Sequence, residues 1–541
     1  MAFWDQMTRE VGLMGVFEGE LAGLIDGVFV DWDSAVSPGC ALGIYLGGEI
    51  VYSRGYGMSN LEHDVPITPD SIFHVASISK QFAAHCIVLL AQEGTLSLED
   101  DVREYLPELP DYGPTITIQH LIHHTSGLRD QWELLRLAGW REDDLITDDD
   151  VLEIAVRQRE LNFQPSDQYF YSNTGYTFLG LIIKRVTGLS LRQLAHERIF
   201  QPLGMTRTHF HDDHSEIVPD RTQAYQPRKD GVGYRISIPV FDTTGATSLH
   251  TTVEDLFRWH HYLLGFLAGG ANEAYLQTAV LNDGEELKYG CGLRHDERHG
   301  LETVGHAGAD AGYRAHFINV PEQRLGIAIL CNLSTLQPAG LVDAVLRILV
   351  ERGVVAGDIE AEPEIIDLPE RELAARAGIY RGLRTGAIQE IVVADGRLQL
   401  PGELALAPTA EDRFTSEEYF GVDVRFSDDP ETGAVRMEIR EVDTFERVAA
   451  SAVEPDDLAA YAGVFHSDEL GVDYELLVED GELQWKQRRF DARPLKPVLE
   501  DTFVANGRWI AFTRDDDGSF DGFSVSSMRA RRMRFERVAD A

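Results

Sequence analysis

The sequence predicts an α+β fold: one antiparallel sheet flanked by helices, followed by two small antiparallel β-barrels. Three observations carry this expectation. Apolar runs joined by tight turns stand near residue 40 and again near residue 320, with helical patterns between them. An acidic stretch with Pro363 and Pro369 follows, over 356–371. Beyond it, one segment occurs twice.

Ala41 to Leu46 and Glu49 to Tyr52, joined by Gly47-Gly48, read as a hairpin. Ala315 to Val320 and Leu325 to Leu330, joined by Pro321-Glu322-Gln323-Arg324, read as another. Amphipathic patterns predict helices from Ser77 to Glu93, stopped by Gly94, and from Gly340 to Glu351, stopped by Gly353. Strands at both ends with helices between them imply a single sheet closed by distant segments. After the linker, Leu373-Ala374-Ala375-Arg376-Ala377-Gly378-Ile379-Tyr380 returns as Leu458-Ala459-Ala460-Tyr461-Ala462-Gly463-Val464-Phe465. Asp395-Gly396 returns as Asp480-Gly481, and Phe445 to Ala449 as Phe535 to Ala539, at offsets of 85 to 90 residues. That is a duplication, and its short alternating runs split by Asp-Gly turns suggest two barrels. The expected domains are 1–355, a linker at 356–371, and repeats at 372–451 and 452–541.

The chemistry centres on Ser77-Ile78-Ser79-Lys80. Residues three apart share a helix face, so the Lys80 amine can lie beside the Ser77 hydroxyl. Serine needs a base before it is a nucleophile, and lysine serves only if burial or a neighbouring cation lowers its pKa from about 10.4. Two motifs follow in order: Tyr171-Ser172-Asn173, then His306-Ala307-Gly308.

The set S-x-x-K, [YS]-x-N and [KH]-[TSA]-G resembles the signature of the β-lactamase-related serine hydrolases of penicillin-binding-protein fold. Connecting segments are similar too: Ile116 to Leu128, Pro202-Leu203-Gly204-Met205, and Thr251 to Leu256. The resemblance covers about residues 20 to 355. It implies a sheet beside a helical subdomain, with the catalytic groove between them. It implies acylation of Ser77, with Lys80 taking or sharing its proton and Tyr171 acting as base or as donor to the leaving amine. Asn173 would position the lysine and the substrate amide. The backbone N–H groups of Ser77 and Ala309 would form the oxyanion hole, with Gly308 and Arg314 on the substrate side. A catalytic domain followed by two lipocalin-like barrels is similar to the layout of bacterial D-aminopeptidases, where a barrel loop reaches the active site. Packing and homo-oligomerisation are the other roles open to the barrels.

His306 stands where relatives that bind carboxylates often carry lysine. Imidazole is only partly charged near neutral pH, so recognition of a substrate carboxylate is not expected. The expected activity is cleavage of short or unusual peptides, including those with D-residues; a D-aminopeptidase or an esterase is the alternative. A non-catalytic scaffold would be expected to lose the serine, lysine or tyrosine.

His209-Phe210-His211-Asp212-Asp213-His214 matches an H-x-H-x-D-H metal pattern, and His120, His123 and His124 also cluster. The first group lacks the usual glycine-rich sequel, so neither a catalytic metal nor a cofactor is expected. The net charge of −42 argues against nucleic acid and anionic membranes as partners. Met1 to Glu10 has no basic start and apolar core, so no signal peptide is read there and a cytoplasmic location is expected. Cys40, Cys86, Cys291 and Cys331, dispersed among apolar neighbours, read as buried free thiols.

Overall fold

The computed structural model describes residues 17–268, 277–359, 361, 363–402, 404–416, 419–440, 442–451 and 453–538. Met1 to Glu10 and the last residue of the duplicated Phe535 to Ala539 segment lie outside them. The chain divides into two compact units: one holds residues 1–128, 142–156 and 163–360, the other 129–141, 157–162 and 361–541.

In the first unit, strand Cys40–Leu46 pairs antiparallel with Leu325–Cys331, Cys40 facing Cys331 and Leu46 facing Leu325. A seven-stranded sheet results, ordered Tyr289–Gly290, Leu293–Arg298, Leu301–Asp310, Tyr313–Val320, Leu325–Cys331, Cys40–Leu46, Glu49–Tyr56. The expected closure by distant segments is therefore found. Every residue of Cys40–Leu46 and Leu325–Cys331 is buried, because both faces of the sheet are covered. On one face Val342, Val345, Leu346 and Leu349 of helix Pro338–Glu351 form a helical stripe against Leu42, Ile44 and Ile327. On the other, helix Val253–Ala268 brings Phe257 to 5.5 Å from the Tyr45 ring. All four cysteines are free and buried. Among the described residues, no helix is long and apolar enough to cross a membrane.

The second unit contains two closed eight-stranded antiparallel barrels. Gly378–Gly382 closes the first on Asp443–Val448, and Gly463–Ser467 closes the second on Met533–Arg537. The repeated Asp-Gly pairs sit in two-residue hairpins: Asp395 and Gly396 have φ of +51° and +74°, Asp480 and Gly481 +52° and +80°. Asparagine, aspartate and glycine tolerate that left-handed geometry, which matches the twist of the flanking strands. Trp509 of the second barrel joins the first barrel's core of Tyr380, Phe414, Phe426 and Phe445.

Segments 129–141 and 157–162 belong to this second unit, a feature the sequence did not announce. The Arg129 guanidinium, fully buried, pairs with Glu469 at 2.6 Å and donates to Gln158 Oε1 at 2.9 Å. Tyr474 Oη donates to the Leu137 carbonyl at 2.6 Å, and Asn162 Nδ2 to that of Arg529 at 3.2 Å.

Candidate active site

Helix Ser79–Gln92 is preceded by a 3₁₀ turn, Ala76–Ile78, and Ser77 lies in that turn rather than in the α-helix proper. Ala76 has φ of +47°, a conformation that costs a non-glycine residue about 1–3 kcal/mol and that clusters at functional sites. Ser77 is the only residue of 71–80 that is not buried. Ser79 holds the turn in place: its hydroxyl donates to the Ala76 carbonyl at 2.5 Å and accepts from Leu249 N–H at 2.9 Å.

The Lys80 side chain is wholly buried. Its Nζ lies 3.0 Å from Ser77 Oγ, 2.9 Å from Asn173 Oδ1 and 2.7 Å from the Ala246 carbonyl oxygen. The last two groups can only accept, so they fix two N–H bonds. The remaining position on nitrogen, a third N–H or a lone pair, is the one that faces Ser77. Proton exchange with the serine is thereby aimed.

Asn173 opens helix Asn173–Thr187. Ala246 arrives on a loop pressed against that helix at Gly245, where a Cβ would lie 2.2 Å from the Tyr176 carbonyl oxygen and φ is +89°. Only glycine fits. The Tyr171 ring centroid is 4.7 Å from Lys80 Nζ and that of Tyr176 5.6 Å, so the amine is flanked by aromatic faces.

Behind Tyr171 runs a chain of hydrogen bonds whose direction can be read. Ser172 N–H donates to His124 Nδ1 at 3.2 Å, so the proton of that imidazole is on Nε2, 3.2 Å from Tyr289 Oη. Tyr289 then donates to His306 Nε2 at 3.0 Å, and His306 Nδ1–H to the Ala307 carbonyl. The His124 ring stacks 4.3 Å from Tyr171. Burial, helped by the Lys80 charge, pushes His306 down to about 3. It is a neutral imidazole at pH 7, not the partial cation its sequence suggested.

Strand Leu301–Asp310 lies tight against the Ala76–Ile78 turn, because a Cβ on Gly308 would sit 2.2 Å from the Val75 carbonyl oxygen. That approach sets Ala309 beside the serine turn. Arg314 faces Ala309 across the strand pair, and its Nη1 donates to the carbonyls of Ala311 and Tyr313 at 2.9 and 2.7 Å. The structure thus brings together Ser77, Lys80, Tyr171, Asn173 and His306, and adds Ala246, His124 and Tyr289. Ala246 and Tyr289 escaped sequence reasoning, since one contributes only a backbone carbonyl and the other belongs to none of the three motifs; His124 stood out there only as a metal-ligand candidate.

The histidines weighed as metal ligands separate. His120 Nδ1 accepts from Thr117 N–H at 3.0 Å, His123 Nε2 lies 3.0 Å from the Gln277 carbonyl, and His124 belongs to the chain above. His214 pairs with Asp242 at 3.0 Å, apart from the group of His209, His211 and His250.

A buried lysine aimed at a half-exposed serine in a strained turn can carry out acyl transfer. Comparison with known proteins agrees. The β-lactamase family matches residues 28–352. A D-aminopeptidase of Gluconobacter oxydans is 28% identical over 524 residues, covering 93% of this chain and 96% of that protein. One from Brucella anthropi is 25% identical over 525 residues, covering 93% and 95%. Among solved structures, an octameric penicillin-binding-protein homologue from Pyrococcus abyssi aligns with TM-score 0.55 at 23% identity, over 88% of this chain and 99% of that one. A D-amino acid amidase from Ochrobactrum anthropi aligns with TM-score 0.52 at 22% identity, over 62% and 100%. These two show likeness of fold. The chain belongs to the β-lactamase family and is a β-lactamase-related serine hydrolase of penicillin-binding-protein fold.

Proposed function

We propose that this enzyme is a serine peptidase that opens amide bonds of short or unusual peptides, D-residues included, through an acyl-enzyme on Ser77. The observation that carries the reading is the Lys80 amine, buried and 3.0 Å from Ser77 Oγ, with its other bonds committed to Asn173 and Ala246. Ser77 Oγ attacks the carbonyl carbon while Lys80 accepts its proton. The N–H groups of Ser77 and Ala309 receive the oxyanion, a contribution typically worth about 100- to 1000-fold per donor. Tyr171, against Lys80, passes the proton to the leaving amine, and water then releases the acyl group. Gly308 and Arg314 border the acyl-binding side.

A neutral His306 offers no permanent cation to a substrate carboxylate, which favours peptides read by their amino end or interior. The D-aminopeptidases among the relatives match this chain over nearly its whole length, which supports D-configured substrates. Linearised microcystin is one candidate of this kind, on the strength of the chain's length and layout.

The test is mass spectrometry of products and of the quenched enzyme, with D/L-mixed linear peptides, D-alanine amides, a simple ester and a cephalosporin. An acyl adduct on the peptide containing Ser77, absent from Ser77→Ala, is expected with the peptides and amides. Cleavage by Ser77→Ala at the wild-type rate overturns the proposal.

A further inference from the structure

Away from Ser77, three short strands form a sheet: Phe73–His74, Leu249–Thr251 and His209–Phe210, with the 249–251 strand in the middle. His250 is paired with His209 on one side and His74 on the other. Alternate residues of a strand share a face, so His211 falls on the side of His209 while Phe210 points into the core beside Phe200. The rings gather: His211 is 4.7 Å from His250, and His209 is stacked 5.5 Å from it.

We propose that His209, His211 and His250 bind one zinc-class divalent metal ion, with Glu216 as an oxygen donor. Each histidine offers one ring nitrogen, and these atoms lie within 4.8 Å of one another. A tetrahedral zinc with Zn–N bonds of about 2.0–2.1 Å holds its ligands closer still, a contraction within reach of side-chain rotation. Buried imidazole nitrogens normally have partners, yet His209 Nε2 and both ring nitrogens of His211 have none. His211 is 6% exposed and His250 5%.

The orienting contacts a metal site needs are present. The Ser248 carbonyl accepts from His250 Nδ1–H at 3.2 Å, which leaves Nε2 of that ring as the lone-pair nitrogen, and also from His211 N–H at 2.8 Å. Glu216 Oε2 stands 3.7 Å from His211 Nδ1, and Arg192 holds that carboxylate through two hydrogen bonds, at 2.6 and 2.8 Å. Arg192 and Arg221 place positive charge nearby, and Glu216 and Asp212 offset it. A cavity of ≈ 580 Å³ lined by His209, Glu216, Arg192 and Arg207 gives an ion its way in. Its lining contains none of Ser77, Lys80 or Tyr171. Such an ion would clamp the middle strand to its neighbour. On its other side that middle strand pairs with His74, three residues before Ser77 and 3.4 Å from Asp310 at the end of strand Leu301–Asp310.

The test uses untagged full-length protein freed of metal by EDTA and dialysis. Zn²⁺ is titrated calorimetrically, Co²⁺ is followed by its visible d–d bands, and melting is recorded with and without Zn²⁺. Wild type and Ser77→Ala are expected to bind one ion per chain and to melt higher with it, so binding is independent of the acylation chemistry. His209→Ala and the milder His209→Gln should lose at least about 100-fold in affinity, the upper end of what removing a mere orienting partner costs. His214→Ala should bind as wild type. Absence of a stoichiometric ion in wild type, or unchanged binding in both His209 variants, overturns the proposal. Loss of binding in His214→Ala alone does so too, placing the ion at Asp213, His214 and Asp242 instead.

Discussion

Replacing Gly245 by alanine tests how finely Lys80 is held. The new methyl would meet the Tyr176 carbonyl oxygen at 2.2 Å, against the 3.0 Å below which such contacts are essentially never found. Loop and helix must therefore part by at least 0.8 Å. Asn173 starts that helix and Ala246 follows the mutated residue, so the two acceptors of Lys80 are driven away from each other. One of the bonds now at 2.9 and 2.7 Å then lengthens to about 3.5 Å or more, past hydrogen-bonding range. Misplacement of that size in catalytic machinery costs up to about 100-fold in rate. Overpacking adds about 1–3 kcal/mol of instability and the left-handed backbone about 1–2 kcal/mol. Gly188→Ala is the control: it caps the same helix at φ +75° with nothing within 4 Å of its added methyl. Acylation rate by stopped-flow and stability in urea should fall together in Gly245→Ala, whereas Gly188→Ala should lose about 1–2 kcal/mol and no activity. Wild-type acylation by a folded Gly245→Ala would refute the reasoning.

Three further outcomes are expected. Tyr289→Phe strips partners from His124 Nε2 and His306 Nε2, two buried atoms, and should cost about 2–4 kcal/mol in urea unfolding. His306 and His85, pushed down to about 3, and His123 and His260, at about 4, all owe the depression chiefly to burial. Below about pH 6.5 the unfolded chain takes up the protons that these folded imidazoles refuse. The stability of neutral pH should therefore drain away between about pH 6.5 and pH 4, by up to about 1.4 kcal/mol per pH unit for each group, in urea midpoints measured against pH. Glu469→Ala removes the carboxylate paired with the buried Arg129 guanidinium and should cost about 3–5 kcal/mol in the same assay.

The pairing of Ser77 with Lys80 was legible because turn spacing is local: three residues apart is enough to bring them together. The barrels were legible from their repeated Asp-Gly turns, whose backbone demand selects the residues. Ala246 was not, since a carbonyl can be supplied by any residue and its place depends on how closely Gly245 approaches the helix. Tyr289 and His124 come together only through strand Tyr289–Gly290 at the sheet edge and the second residue after helix Ile118–Ile122. The metal group shows the same limit. His-x-His reveals two imidazoles on one strand face, but the third partner is His250 rather than His214, chosen by a strand register that no local pattern specifies.

The membership of residues 129–141 and 157–162 in the second unit has a consequence in time. Arg129 and Glu469 are 340 residues apart. At about 5–20 residues per second, ribosomal synthesis leaves roughly 17–70 s between them. During that interval Leu134, Leu135 and Leu137, buried in the finished protein, wait for the part of their unit that begins at residue 361. A seven-residue helix such as Gln131–Leu137 has no lasting stability alone in water. It is held in place only once the second barrel has emerged, so this early segment settles after the strands that receive it have been made.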